Sequence, residues 1–282
     1  NDHGITVKDD HAIEVRGTLT VEGTGTVKNE GAGSYAALAV YPDADVELNG
    51  GAFQDETWYT IKNLGTLVIN KGVTVSRTDS GSSLIDNGWY GSKGNDLGLD
   101  YPANAKVSLT INGGAFSGGM NTVKNDDFGV LVINGGEFSN TTGPVVLNWN
   151  ETTINDGSFT GTSADSALLA NGYINDSADK GQFEINGGTF KASNDGQSVI
   201  FTQPLGCKQG GKVSVSGGEF VGNVNSSVSG SPLSYDIEMT GGTVEGSVDD
   251  DCVADGMKFN NETGTFEIDV VTAVAKVGDV GY

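Results

Sequence analysis

The chain has 282 residues, 36% of them apolar, and carries 37 acidic against 15 basic side chains for a net charge of −22. That charge opposes nucleic acid and anionic membrane surfaces as partners, and no apolar run approaches the ~20 residues that cross a bilayer, which argues against membrane insertion. Forty-four glycines against five prolines favour short strands and tight turns over helices.

The first residues read as strand at once, in "GITVKDDHAIEV", with no amphipathic helix to cover the end of a stack. A unit then recurs along the chain, as in "SLTINGGAF", "LVINGGEF", "FEINGGTF" and "VSVSGGEF". Its second glycine, or the equivalent, falls at Gly51, Gly72, Gly114, Gly136, Gly157, Gly188, Gly218 and Gly242, with gaps of 21, 42, 22, 21, 31, 30 and 24. A period in the low twenties marks a solenoid. The gap of 42 reads as two periods with one coil lacking the motif, and the gaps near 30 as coils with loop insertions.

Before each glycine pair, apolar and polar residues alternate, as at Leu109 and Ile111, Leu131 and Ile133, Phe183 and Ile185, Val213 and Val215, Ile237 and Met239. This is the pattern of a strand with one buried face. After each pair comes an inward residue: Phe53, Val73, Phe116, Phe138, Phe159, Phe190, Phe220 and Val244. The residue before the glycines is Asn at 49, 70, 112, 134, 155 and 186, then Ser216 and Thr240. Stacked amides at equivalent positions can hydrogen-bond from coil to coil. A second Asn register ends strand-like triplets at Asn29, Asn63, Asn87, Asn125, Asn148 and Asn171. Local hairpins at the Asn-Gly steps are the competing reading, but they do not require a second Asn at a nearly fixed offset. The expectation is an all-β, right-handed single-stranded parallel β-helix of about ten coils, roughly 50 Å long at ~4.8 Å per strand spacing. It spans residues 1–268, with 269–282 a closing strand and linker to a following module or neighbouring subunit.

On these residues, from 13 to about 248, the chain resembles the pectin-lyase-like right-handed β-helices. Within them it resembles the Gly-Gly-x-Phe repeat modules of secreted and cell-surface proteins of gut Gram-positive bacteria. The resemblance implies an extracellular, adhesin-like role. It does not by itself imply an activity, because the repeat specifies the fold alone.

Enzymes on this fold mostly cleave acidic polysaccharides, and their hydrolase motifs Gly-His-Gly and Arg-Ile-Lys are absent from the sequence. The histidines are His3 and His11, and the arginines Arg16 and Arg77. Arg77 beside Asp79 has the residue types of a lyase base and a calcium ligand, but reads better as an exposed coil residue paired with an acid. Asp126 and Asp127 are candidates for weak calcium binding, with no other cofactor indicated. Cys207 and Cys252, 45 residues apart without a metal-binding spacing, are a candidate disulfide. No catalytic residue is assigned.

The aromatic residues are more informative. Trp58, Tyr59, Trp89, Tyr90, Trp149 and Tyr173 flank the second Asn register, and Tyr101 closes the loop "GWYGSKGNDLGLDYPANA". Rings emerging on one flank beside Asn and Asp are suited to sugar recognition, through stacking and amide hydrogen bonds. These seven residues are the candidate ligand-binding set. The leading reading is a non-enzymatic surface module that binds glycans or host protein and acts as a rigid spacer. A polysaccharide lyase or hydrolase and a self-assembling filament, built head to tail, remain the alternatives.

Overall fold

The computed structural model describes residues 3–90, 96–163, 167–172, 181–192, 198–202, 211–224, 236–270, 276–277 and 280–281. They form a parallel β-helix with three long sheets. Sheet 1 has twelve strands, beginning with Ile5–Val7 and Thr26–Asn29 and running through Glu137–Asn140 to Thr243–Glu245. Sheet 2 has nine, from Ile13–Val15 through Ile61–Asn63, Ile85–Asn87 and Val123–Asn125 to Asn223–Val224. Sheet 3 also has nine, from Thr18–Val21 through Val107–Ile111 to Asp236–Met239. Each turn of the chain passes from sheet 3 through the Asn-Gly-Gly bend into sheet 1, then to sheet 2, and back to sheet 3.

The alternation seen in the sequence places the core. Leu109, Ile111, Leu131, Ile133, Phe183, Ile185, Val213, Val215, Ile237 and Met239 are all buried in one cluster inside the three sheets. Phe116, Phe138, Phe159, Phe190 and Phe220 stack in a column with ring centroids 4.7, 4.7, 4.8 and 4.8 Å apart and planes within 12° of parallel. That separation is the strand spacing itself, so the backbone ladder sets the rings face to face. Burial contributes about 1.5–3 kcal/mol per ring.

Both Asn columns form hydrogen-bonded ladders, with opposite polarity. In the first, each amide donates to the preceding coil: Asn70 Nδ2 to Asn49 Oδ1 at 2.7 Å, then Asn112 to Asn70, Asn134 to Asn112, Asn155 to Asn134 and Asn186 to Asn155 at 2.8–3.1 Å. Ser216 Oγ continues it to Asn186 Oδ1 at 2.9 Å. In the second, each amide donates to the following coil: Asn63 to Asn87, Asn87 to Asn125, Asn125 to Asn148 and Asn148 to Asn171, at 2.7–2.9 Å. The second ladder is fully buried, and Asn63 also clamps its own corner, with Gly65 N–H donating to Asn63 Oδ1 at 3.1 Å. The left-handed backbone at the first bend belongs to the second glycine rather than to Asn. Gly136 has φ +122°, and a Cβ there would lie 3.1 Å from the Phe138 ring.

Three details depart from the sequence expectation. The span between Gly72 and Gly114 holds one coil: Ile69 pairs directly with Ile111, so the doubled gap is an insertion at residues 88–106, which a spacing count cannot distinguish from a coil without the motif. Val75, not Val73, occupies the aromatic column, pairing with Phe53 and Phe116. The bend after Asn70 carries one extra residue, and Val73 is buried beside it. Asn29 lies in sheet 1 opposite Asp55; the register position of Asn63 in the preceding coil is Val40.

At the far end the parallel ladder stops. Thr265–Ile268 pairs antiparallel with Met257–Asn260 and meets the last parallel strand at Thr243, while Cys252 is buried in the core cluster beside this closing segment. Cys252 carries a free thiol, and its candidate partner Cys207 lies outside the described residues.

Phe138→Ala opens a cavity in the middle of the column and is expected to lower stability by about 3–5 kcal/mol in urea unfolding. Asn125→Ala leaves buried amides without partners and is expected to cost about 1–3 kcal/mol, against about 1 or less for Asn134→Ala in the exposed ladder. Equal losses at the two Asn positions would show that burial of the ladder is not what matters.

Candidate functional site

The outward face of sheet 2 is where this β-helix departs from a plain repeat. The central residues of its three-residue strands stack as Ala39, Lys62, Asp86, Lys124, Leu147 and Ala170. Their strand neighbours point into the core, so alternation turns this column outward. An outward column is ordinarily solvated, as Glu14 is one coil before Ala39, yet these six are all buried.

The cover comes from both ends of the strands. Trp58 and Tyr59 arrive from sheet 1, Trp89 and Tyr90 leave sheet 2, and the insertion returns Asp96, Leu97, Leu99 and Tyr101 over the top. A small apolar cluster of Leu64, Trp89 and Val107 takes in Leu97, Leu99, Tyr101 and Phe128, and another joins Leu147, Trp149 and Ala170. The insertion is tied down by its backbone. Trp89 N–H donates to Asp127 O at 2.9 Å and Asp127 N–H to Trp89 O at 3.1 Å. Gly88, with φ +116°, allows the approach, since a Cβ there would sit 2.5 Å from Asp127 O.

Beneath this cover lies a charged cluster. Lys62 Nζ donates to Asp86 Oδ1 at 2.6 Å and Gly88 O at 2.8 Å, and pairs with Asp96 Oδ1 at 2.9 Å. The Lys62 and Asp86 side chains have no solvent exposure. Asp96 Oδ2 accepts the Tyr90 backbone N–H at 2.7 Å. Lys124 Nζ contacts Asp126 Oδ2 at 2.8 Å and lies 3.7 Å from the Trp149 ring centroid and 4.5 Å from that of Tyr90. Asp127 Oδ2 accepts the Tyr101 hydroxyl at 2.8 Å.

Burial and charge act in opposite directions here. Burial pulls the Lys62 ammonium down, but Asp86, Asp96 and Asp126 outweigh it and hold it above its ordinary value. Burial pushes the Asp126 carboxyl well up, against the pull of Lys124, and Asp86 adds to the rise.

The seven candidate aromatic residues divide accordingly. Trp89 and Trp149 are 3% and 4% exposed, so they are lids on the outer column rather than open stacking faces. An apolar cover is what buried charges and Leu147 require, and this corrects the picture of rings emerging together. Trp58 and Tyr59 are half-buried and pack on each other at 4.6 Å, with Tyr59 over Lys62 Nζ at 5.1 Å. Tyr101 is half-buried between Trp89 and Phe128. Tyr90, 48% exposed, has the one widely open face among the six described rings. Tyr173 lies outside the described residues.

Other expectations shift as well. Arg77 is buried rather than exposed: it pairs with Asp79 at 2.9 Å and donates to the carbonyls of Asp79 and Trp58. Asp126 and Asp127 are committed to Lys124 and Tyr101, and no cluster of three metal-ligating side chains exists among the described residues. Lys62, Asp86 and Lys124 were not singled out from sequence. The signal was present in "IKN", "IDN" and "VKN", where the middle residue alternates in charge between stacked coils.

Scanned against protein-family models, curated proteins and solved structures, the chain matches none. The likeness to pectin-lyase-like proteins therefore stands at the level of a parallel β-helix.

His11 gives the flank a pH dependence. Its Nδ1 accepts the Ala36 N–H at 2.8 Å, its ring packs on Tyr35 and Trp58, and burial lowers its pKa despite Glu14, Asp10 and Asp55. A lowered folded pKa makes the unfolded chain the better proton acceptor. The contribution is present above the unfolded value of about 6.5 and is lost as pH falls from there through the folded pKa. Thermal unfolding between pH 7 and 5 is expected to show a smaller drop for His11→Asn than for the native chain.

Proposed function

We propose that this chain is a non-enzymatic module of an extracellular surface. The β-helix serves as a rigid spacer, and the flank of sheet 2 around Tyr90 meets a glycan or a host protein. The observation that carries the reading is the Tyr90 ring, half open to solvent and seated on a fixed base of Lys124 and Trp149. A ring held in place loses little freedom when a sugar face stacks on it. The surrounding carboxylates are engaged by lysines or by the Tyr101 hydroxyl, which supports recognition over acid–base chemistry at this flank. The acidity of the chain and the lack of the fold's hydrolase motifs in the sequence point the same way.

Binding to a broad glycan array, with and without calcium, tests this directly. The native chain is expected to bind and Tyr90→Ala to lose about tenfold or more, equivalent to about 1.4 kcal/mol. Cleavage of any polysaccharide by the purified chain would replace this reading with a lyase or hydrolase, and unchanged binding by Tyr90→Ala would move the site off this flank.

A further inference from the structure

The Lys62–Asp86 pair has a geometry that an ion pair does not exhaust. The residues are Cα partners on adjacent parallel strands, so the ladder fixes their separation. The side chains meet at 2.6 Å with no solvent exposure, beneath Tyr59 and the residues of the insertion. Asp126, in the next coil, is anchored by its N–H to Asn87 O at 2.7 Å, and its buried Oδ1 has no hydrogen-bond partner. An amine nucleophile and a carboxyl electrophile are therefore held in contact in a dry site, and Asp126, paired with Lys124, is near enough to act on both through its charge.

We propose that Lys62 and Asp86 join through a side-chain amide, formed by the folded chain itself, which links two successive coils covalently. The ammonium proton first passes to the Asp86 carboxylate across their 2.6 Å contact, leaving amine and acid as a minor form beside the charged pair that the neighbouring carboxylates stabilise. Nζ then attacks Asp86 Cγ. The N–C bond forms, the C–O bond breaks, and the hydroxyl departs as water with a proton that Asp126 delivers and regains from the nitrogen. Nothing is oxidised or reduced, and no co-reactant is needed. Fixed partners make the step intramolecular, and escape of water from the closed site opposes hydrolysis. Raised protonation of Asp126 through burial suits the shuttle. In the product Asp96 still accepts the Tyr90 N–H and Lys124 stays paired with Asp126. For a spacer under tension, a bond between coils would resist unzipping where stacking alone would yield.

The test is the intact mass of the full chain under denaturing conditions, followed by proteolysis and fragment sequencing. A mass lower than the sequence mass by one water, with a branched peptide joining Lys62 to Asp86, is expected. Asp126→Asn, nearly isosteric, is expected to fold, by circular dichroism, and to show its full sequence mass. A native chain at full sequence mass overturns the proposal. So does a water loss that mild alkaline hydrolysis reverses, which marks a succinimide, or a branch at Asp96 instead.

Discussion

In-register stacking of like residues on like is the constraint on which everything else in this molecule depends. A parallel strand pair offers each backbone N–H and carbonyl a partner only in a neighbouring coil, and side chains follow at the same spacing. Phenylalanine rings 4.7 Å apart and amides bonded at 2.7–3.1 Å are two outcomes of this one repeat. The buried Asn ladder is less forgiving than the exposed one. An amide without a partner in the buried column costs about 1–3 kcal/mol, because no water reaches it. The amides of the exposed ladder can fall back on solvent.

That constraint also explains where variation is tolerated. Insertions occur outside the core: one extra residue at the bend after Asn70, and residues 88–106 at the corner after Asn87. Neither disturbs the register of the strands on either side. The larger insertion adds a second layer over the outer face of sheet 2, and a second layer must satisfy whatever it buries. Lys62, Asp86 and Lys124 meet that requirement by alternating in sign up the column, with Asp96 supplied by the insertion and Asp126 by the following corner. Burying ions is costly unless each is paired and hydrogen-bonded; Lys62 has three acceptors within 2.9 Å. The same cover that dries these charges leaves Tyr90 at its edge, so the proposed recognition face and the proposed cross-link arise from one structural event.

The architecture was legible because it is periodic. Asn-Gly-Gly followed by an aromatic, with alternating apolar residues before it, determines the parallel coil: only the second glycine adopts the left-handed bend freely, and only a fixed register brings Phe138 onto Phe116 and Phe159. Wherever the repeat was broken, sequence alone could not place the residues. Val75 and Val73 are equally plausible occupants of the column by spacing, and Asn29 carries the right triplet but sits in another sheet.

The site was decided by tertiary structure. Burial of Trp89 and Trp149, half-exposure of Tyr90 and pairing of Asp126 with Lys124 all depend on where residues 88–90 and 96–106 lie, outside the repeat and with no neighbour coil to dictate their place. A middle position in a strand triplet looks solvated from the sequence, and Lys62 or Asp86 would be an ordinary surface charge without the insertion above it. Local repetition encodes the rod because each coil is the template for the next; the cover is encoded by contacts distant in sequence, which periodicity does not carry.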